Sequence, residues 1–160
     1  MGVFCGRATV PITYKKERLE DLMPALPELF YANWQENERD NENLPLDIDW
    51  LRLLHTEANG VLHIMAARDE TGKVVGYLFT YVQSTTKFAK IKLAASDAVY
   101  VVPSPSKGLI IRRLIEETKK MARDLGAKKL YIVVKAGTPM GKLLSMMNME
   151  LDEETYSCLL

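Results

Sequence analysis

The chain has 160 residues, of which 48% are apolar and 26% charged, and its 21 basic side chains balance 21 acidic ones. That is the make-up of one soluble globular domain with a real core. No apolar run approaches the ~20 residues that span a bilayer. Cys5 and Cys158 fit no metal spacing, and no metal site is expected. The opening "MGVFCGRATV" lacks both the basic n-region and the apolar core of a secretion signal. It also has Gly6 where a myristoylation motif needs Ser or Thr, so a cytoplasmic location is expected.

In chain order, "RATVPITY" alternates as a first strand does. "KERLEDLMPALPELFYANWQEN" predicts an amphipathic helix interrupted at Pro24 and Pro27. After the polar loop "ERDNENLPLD", Asp47 or Asp49 caps a helix "IDWLRLLHTEAN" that stops at Gly60. "VLHIMAARD" and "VVGYLFTYVQS" flank the turn "ETGK" as a hairpin, and "AASDAVYVVP" follows as a third strand of the meander. Helical spacing of Leu109, Ile110, Leu114, Ile115, Thr118, Met121, Ala122 and Leu125 predicts a helix over 107–125, ended by Gly126. "KKLYIVVK" reads as a buried strand reached by a parallel crossover. "TPMGKLLSMM" reads as a short helix and "MELDEETYSCLL" as a last strand or hairpin. The order β-α-α-β-β-β-α-β-α-β predicts one α/β domain over 1–160, a mixed sheet with helices on both faces.

The charge is unevenly spread. Residues 17–57 carry eleven Asp or Glu against three Lys or Arg, whereas residues 107–135 carry nine basic side chains against three acidic. One half can face a cation and the other an anion, or both are solvated helix faces. The basic stretch has no interleaved aromatics, which argues against nucleic acid as the partner.

The element order and the strand end "VYVVP" running into "SPSKGLIIRRLIEE" resemble the GNAT family of acyl-CoA-dependent N-acyltransferases over nearly the whole chain. "NWQEN", "LPLDIDW", "GKVVGYLFTYV", "ASDAVYVVP" and "EETYSCLL" are similar to the small GNAT-like proteins of bacteriophages, which would place the protein in a host cytoplasm. The resemblance implies a sheet splayed at its central strand, acetyl-CoA as cosubstrate and, as acceptor, a primary amine of a small molecule, a protein lysine or an N-terminus; a monomer or homodimer with no membrane partner is expected. It implies that main-chain groups near Val101 and Val102 bond the pantetheine like an added strand. Residues Ser106, Lys107, Gly108, Leu109, Ile110, Ile111 and Arg112, at a helix N-terminus, would then hold the pyrophosphate.

Several positions depart from the family pattern. Ser106 stands where an Arg or Gln is usual, and Ile111 where a glycine lets the phosphates approach closely, so the motif reads as degenerate. Leu144 replaces a common tyrosine, and Lys87-Phe88 a His-Tyr pair. These departures set a second expectation beside the first: a GNAT-fold protein without chemistry that works by binding a host or phage protein.

Asp97, among small and apolar neighbours on the central strand, is the expected general base, its pKa raised by partial burial; otherwise it is a capping residue. Tyr156 is the expected acid for the leaving thiolate, or else a core or surface residue. Trp34 and Glu36 would form an acceptor pocket for a cationic amine, unless Trp34 is core and Glu36 solvated. Lys107 and Arg112 oppose the helix dipole, which is explained if an anion lies between them. His55, His63 and the methionines Met140, Met146, Met147 and Met149 are expected to be structural.

Overall fold

A computed structural model of the chain describes residues 11–160. The elements run β1 (Thr13–Glu17), α1 (Leu19–Leu22), α2 (Leu26–Asn37), α3 (Trp50–Ala58), β2 (Leu62–Arg68), β3 (Val74–Gln83), β4 (Lys92–Val101), α4 (Lys107–Asp124), β5 (Ala127–Tyr131) and α5 (Pro139–Met146). The strands form one sheet in the order β1-β2-β3-β4-β5, antiparallel except for the parallel pair β4–β5 that α4 connects.

Strand alternation divides the core into two layers. Leu62, Ile64 and Ala66 of β2 and Tyr77 and Phe79 of β3 point to one face, where Leu19, Leu22, Leu26 and Leu29 of α1 and α2 cover them. Met65 and Ala67, with Leu78 and Val101, point to the other, under Ile110, Ile111, Leu114 and Ile115 of α4 and Leu144 of α5. The helices thus lie on both faces, as expected.

Local chemistry accounts for the boundaries. The expected interruption at the two prolines appears as the break between α1 and α2, with Pro27 in the first turn of α2. Asp49 is the N-cap of α3, its carboxylate accepting from the Arg52 amide at 2.9 Å. Gly60 and Gly126 follow α3 and α4 at φ 69° and 84°, the left-handed region where a side chain is penalised. The β2–β3 turn is organised by Asp69, whose carboxylate accepts from the Thr71 amide at 2.9 Å and the Lys73 amide at 3.0 Å.

Three expectations are corrected, and part of a fourth falls outside the described residues. Lys16 and Glu17, read as the start of a helix, lie in β1, where Glu17 makes a two-pronged ion pair with Arg68 of β2 at 2.8 and 2.6 Å. Residues 7–10 of the expected first strand lie outside the described residues. Leu109, counted on the apolar face of α4, is 67% exposed. "MELDEETYSCLL" forms neither strand nor hairpin and is exposed along most of its length.

Candidate functional site

The site begins with an irregularity in β4. Phe79 of β3 pairs with Ala98, but Thr80 pairs with Ser96, so Asp97 is the extra residue of a β-bulge. A bulge re-aims a side chain, and Asp97 faces an open cleft of about 650 Å³ against the α1–α3 face. Phe30, Phe79 and Tyr81 line its apolar wall, and Asp47, Asp49 and Arg52 its rim. Three carboxylates therefore share the cleft with one guanidinium. Burial, and then the Asp97 charge, push the Tyr81 hydroxyl above its ordinary pKa.

At the same place the sheet opens. β5 follows β4 through the pairs Lys92–Ala127, Ala94–Leu130 and Ala95–Tyr131 and then leaves it. At the fork the Val133 amide donates to the Ser96 hydroxyl at 2.8 Å. Beyond the fork β4 stays paired to β3 only. The Val102 amide donates to the Val75 carbonyl at 2.9 Å, so ladder alternation turns the main-chain groups of Val101 and Val99 toward the gap. Of the two valines expected to meet a pantetheine, Val101 turns its main-chain groups to the gap. The amide of Val102 is already committed to β3, and the other valine facing the gap is Val99.

The open edge leads into the N-terminus of α4. Ser106, the N-cap, makes no side-chain cap. Lys107 donates its amide to Ser104 at 3.1 Å and Ile110 to Ser106 at 3.0 Å, while the amides of Gly108 and Leu109 have no main-chain acceptor among the described residues. A Cβ built at Gly108 meets nothing within 4 Å, so the approach is open. Free amides at the start of an 18-residue helix suit an anionic group. Ile111, expected to obstruct that approach, is buried in the layer between α4 and the sheet with Leu114 and Val101. Ile110 is likewise buried against the sheet, so Ser106, Lys107, Gly108 and Leu109 form the accessible part.

The two cations at this helix end have partners of their own. Arg112 pairs with Glu116 at 3.2 Å and Lys107 with Glu36 at 2.5 Å. The ammonium of Lys107 also lies 5.5 Å from the centre of the Tyr100 ring. Their position against the dipole thus already has an explanation in side-chain carboxylates. Burial, and then the Glu36 charge, raise the pKa of Tyr100.

Glu36 belongs to a short strap at the end of α2. Two residues on, Glu38 pairs with Lys135 at 3.2 Å, and Arg39 donates to the Ala136 carbonyl. Residues 36–39 therefore hold both the α4 wall and the segment after β5. Glu38 is kept below the usual carboxylate range, first by the Asp40 amide and then by Lys135.

The remaining expected site residues lie apart from the cleft. Trp34 donates its indole N–H to the Leu44 carbonyl at 2.9 Å and packs on Tyr31, which fixes the loop leading to Leu46 on the rim. Trp34 and Glu36 do not line the cleft. The partial burial expected for Asp97 is not found, because its side chain is exposed at the bulge. Tyr156 is 87% exposed, donates to Glu154 at 2.9 Å and does not line the cleft. Leu144 is buried in the α4 layer. His55 is hydrogen-bonded with Asn59, and His63 with the Gly60 carbonyl. Among the described residues no three His, Cys, Asp or Glu side chains gather as metal ligands.

Neither a protein-family model nor a curated protein sequence matches the chain. Solved structures do. The chain superimposes on the ribosomal-protein-alanine N-acetyltransferase of Brucella melitensis biovar Abortus 2308 with a TM-score of 0.72 and 20% identity, over 94% of this chain and 98% of that one. An aminoglycoside acetyltransferase from an uncultured soil metagenomic sample, solved with sisomicin, gives 0.69 and 18% identity over 93% and 94%. A Trypanosoma brucei acetyltransferase gives 0.68 and 15% over 94% and 100%. The fold is that of the GNAT acetyltransferases. Within that GNAT fold, the bulge, the fork and the α4 N-terminus occur together on one strand and its outgoing helix.

Asp47, Asp49, Arg52 and Tyr81 were missed as site residues. The acidic excess over 17–57 was the one visible signal for Asp47 and Asp49, which read equally well as helix caps, and nothing in the sequence pointed to Arg52 or Tyr81.

Proposed function

We propose that this protein transfers an acyl group, acetyl in the first instance, from acyl-CoA to a primary amine. The observation that carries the proposal is the conjunction on β4 of an open main-chain edge at Val99 and Val101, a helix start with free amides at Gly108 and Leu109, and Asp97 in an acidic cleft. The pantetheine amides add to the edge as a strand, and the helix amides take the pyrophosphate. The neutral amine attacks the thioester carbon, the C–N bond forms and the C–S bond breaks. Asp97 accepts the proton shed by the nitrogen, and the thiolate takes one from the cleft. Tyr81, which shares the cleft with Asp97, is better placed to supply it than Tyr156. Three carboxylates favour an acceptor with several positive charges, the character of the aminoglycoside in the soil enzyme.

A second reading keeps the fold and drops the chemistry, leaving a protein that binds another protein. Leu144 in the core and Tyr156 out on the tail favour it.

Titration with acetyl-CoA decides between them. A ligand bound only by the folded chain adds about 2.7 kcal/mol of apparent stability at a hundredfold excess over Kd. Gly108→Leu should keep or raise the melting temperature without ligand, since the space is open and leucine is the better helix former. It should also abolish most of the ligand-induced shift. Asp97→Asn should retain that shift and lose roughly 100-fold or more in acetyl transfer. No shift at millimolar acetyl-CoA would overturn the transferase reading in favour of the second.

A further inference from the structure

Between the sheet and α4, three hydroxyls meet at one level of an otherwise apolar layer. The layer can be followed in register. Leu78 of β3 and Leu114 of α4 share one core cluster, and Val82 of β3 and Ala122 of α4 share another. α4 runs back against β4 and therefore in the direction of β3. Two residues of strand, about 6.6 Å, then keep step with four of helix, about 6 Å. Thr80 and Thr118 are the pair halfway between. Both are fully buried, and alternation sets Thr80 on the α4 face with Leu78 and Val82. Ser96 of β4 is the ladder partner of Thr80, so it shares that face, and it is buried too.

Two of these hydroxyls are orphaned. Thr80 Oγ1 and Thr118 Oγ1 are shut off from solvent and have no hydrogen-bond partner among the described residues. Thr118 does not take the common helical alternative, a bond back to the Leu114 carbonyl. The Ser96 oxygen accepts from the Val133 amide at 2.8 Å and keeps a second lone pair for another donor. Buried hydroxyls are normally paired, and two orphans at one level point to a shared partner. Their neighbours here are Ala94 and Ala122, both buried, so short side chains face one another from both layers.

We propose that one water molecule is bound at this level as part of the fold, bridging Thr80 Oγ1, Ser96 Oγ and Thr118 Oγ1. Buried waters typically make about three hydrogen bonds to groups otherwise left unsatisfied. This one accepts the two threonine protons and donates one of its own to Ser96. The site lies where β5 parts from β4. Ala95–Tyr131 is the last rung, and the Val133 amide reaches Ser96 just beyond it. The water fastens α4 to β3 and β4 at the fork, and Thr118 acts through it on the Val133 amide as a positioning residue.

The test needs no acyl-CoA, so it stands whether or not acetyl transfer is found. A crystal structure of the full chain, at a resolution that shows ordered water, should place one about 2.5–3.0 Å from all three oxygens. Thr80→Val and Thr118→Val keep the shape and remove one hydroxyl each. A hydroxyl that held the water should lower the urea midpoint by roughly half a molar when replaced, whereas losing a true orphan leaves the midpoint unchanged or raised. The double variant should lose less than the sum of the two, because the same water is lost once. Exchange of the Val133 amide should quicken by about threefold or more in Thr118→Val, and Thr118→Ser should restore it. A packing role alone would leave that amide unmoved. Valine variants as stable as the parent, additive losses, an unchanged Val133 amide, or a crystal with Thr118 bonded to the Leu114 carbonyl and no water between the three oxygens would each overturn the proposal.

Discussion

Lys107 sits in the first turn of α4, where the helix dipole opposes a positive charge, and the Glu36 carboxylate and the Tyr100 ring hold it there. A pyrophosphate at Gly108 and Leu109 would compete with Glu36 for the same ammonium. Glu36→Gln removes that competitor, and an exposed pair of this kind is worth up to about 1 kcal/mol, so acetyl-CoA should bind roughly two- to fivefold more tightly. Calorimetric titration of the two proteins checks this, and weaker binding would show that Glu36 orients Lys107 for the ligand. None of this pairing was visible in the sequence, where Glu36 and Lys107 stand 71 residues apart. Asp97 was legible as a lone carboxylate between small neighbours. Its bulge was not, because a bulge is a property of two strands in register and not of one.

At the level of elements, β3, β4 and α4 meet at Gly76. A Cβ there would lie 2.7 Å from Val101 Cγ2, 3.0 Å from the Tyr100 carbonyl oxygen and 3.4 Å from Leu114 Cδ1. The valine can shift, but the carbonyl belongs to the β4 ladder. Gly76→Ala should cost about 1–3 kcal/mol in urea unfolding and should weaken acetyl-CoA binding as well, because the displaced backbone borders the open edge. Val101→Ala in the same chain should recover part of the stability. A Gly76→Ala protein of unchanged stability would mean that β3 and β4 slide apart freely. The long elements here were legible because their periods of 2 and 3.6 are local. The tail was not, since strand pattern alone cannot say whether an edge is within reach.

For the molecule as a whole, the charge asymmetry seen along the chain is also spatial, with the acidic cleft on the α1–α3 face and basic side chains on α4 and β5. His63 links this to pH. Burial first, then the Lys16 charge, lower its pKa from 6.5; the bond to the Gly60 carbonyl opposes them, and the Lys92 charge adds a still smaller lowering. The unfolded chain therefore binds this proton more readily than the folded one. The stability that neutral His63 contributes is complete above about pH 6.5 and is lost as the pH falls from there through its lower folded value. His63→Gln should flatten that part of the stability curve. Denaturant midpoints between pH 7 and 5 measure it, and a slope equal in both proteins would assign the effect to other groups.

The fork between β4 and β5 has a consequence for how such proteins diverge. Peptide amides and carbonyls are the same whatever side chains they carry, so a binding surface built from them places few demands on the alphabet. Substitutions can accumulate along β4 and the start of α4 while hydrogen-bonding capacity stays constant. Shape is then inherited more faithfully than spelling. A chain of this kind can overlay an acetyltransferase at 20% identity or less and still match no family profile written in residue letters.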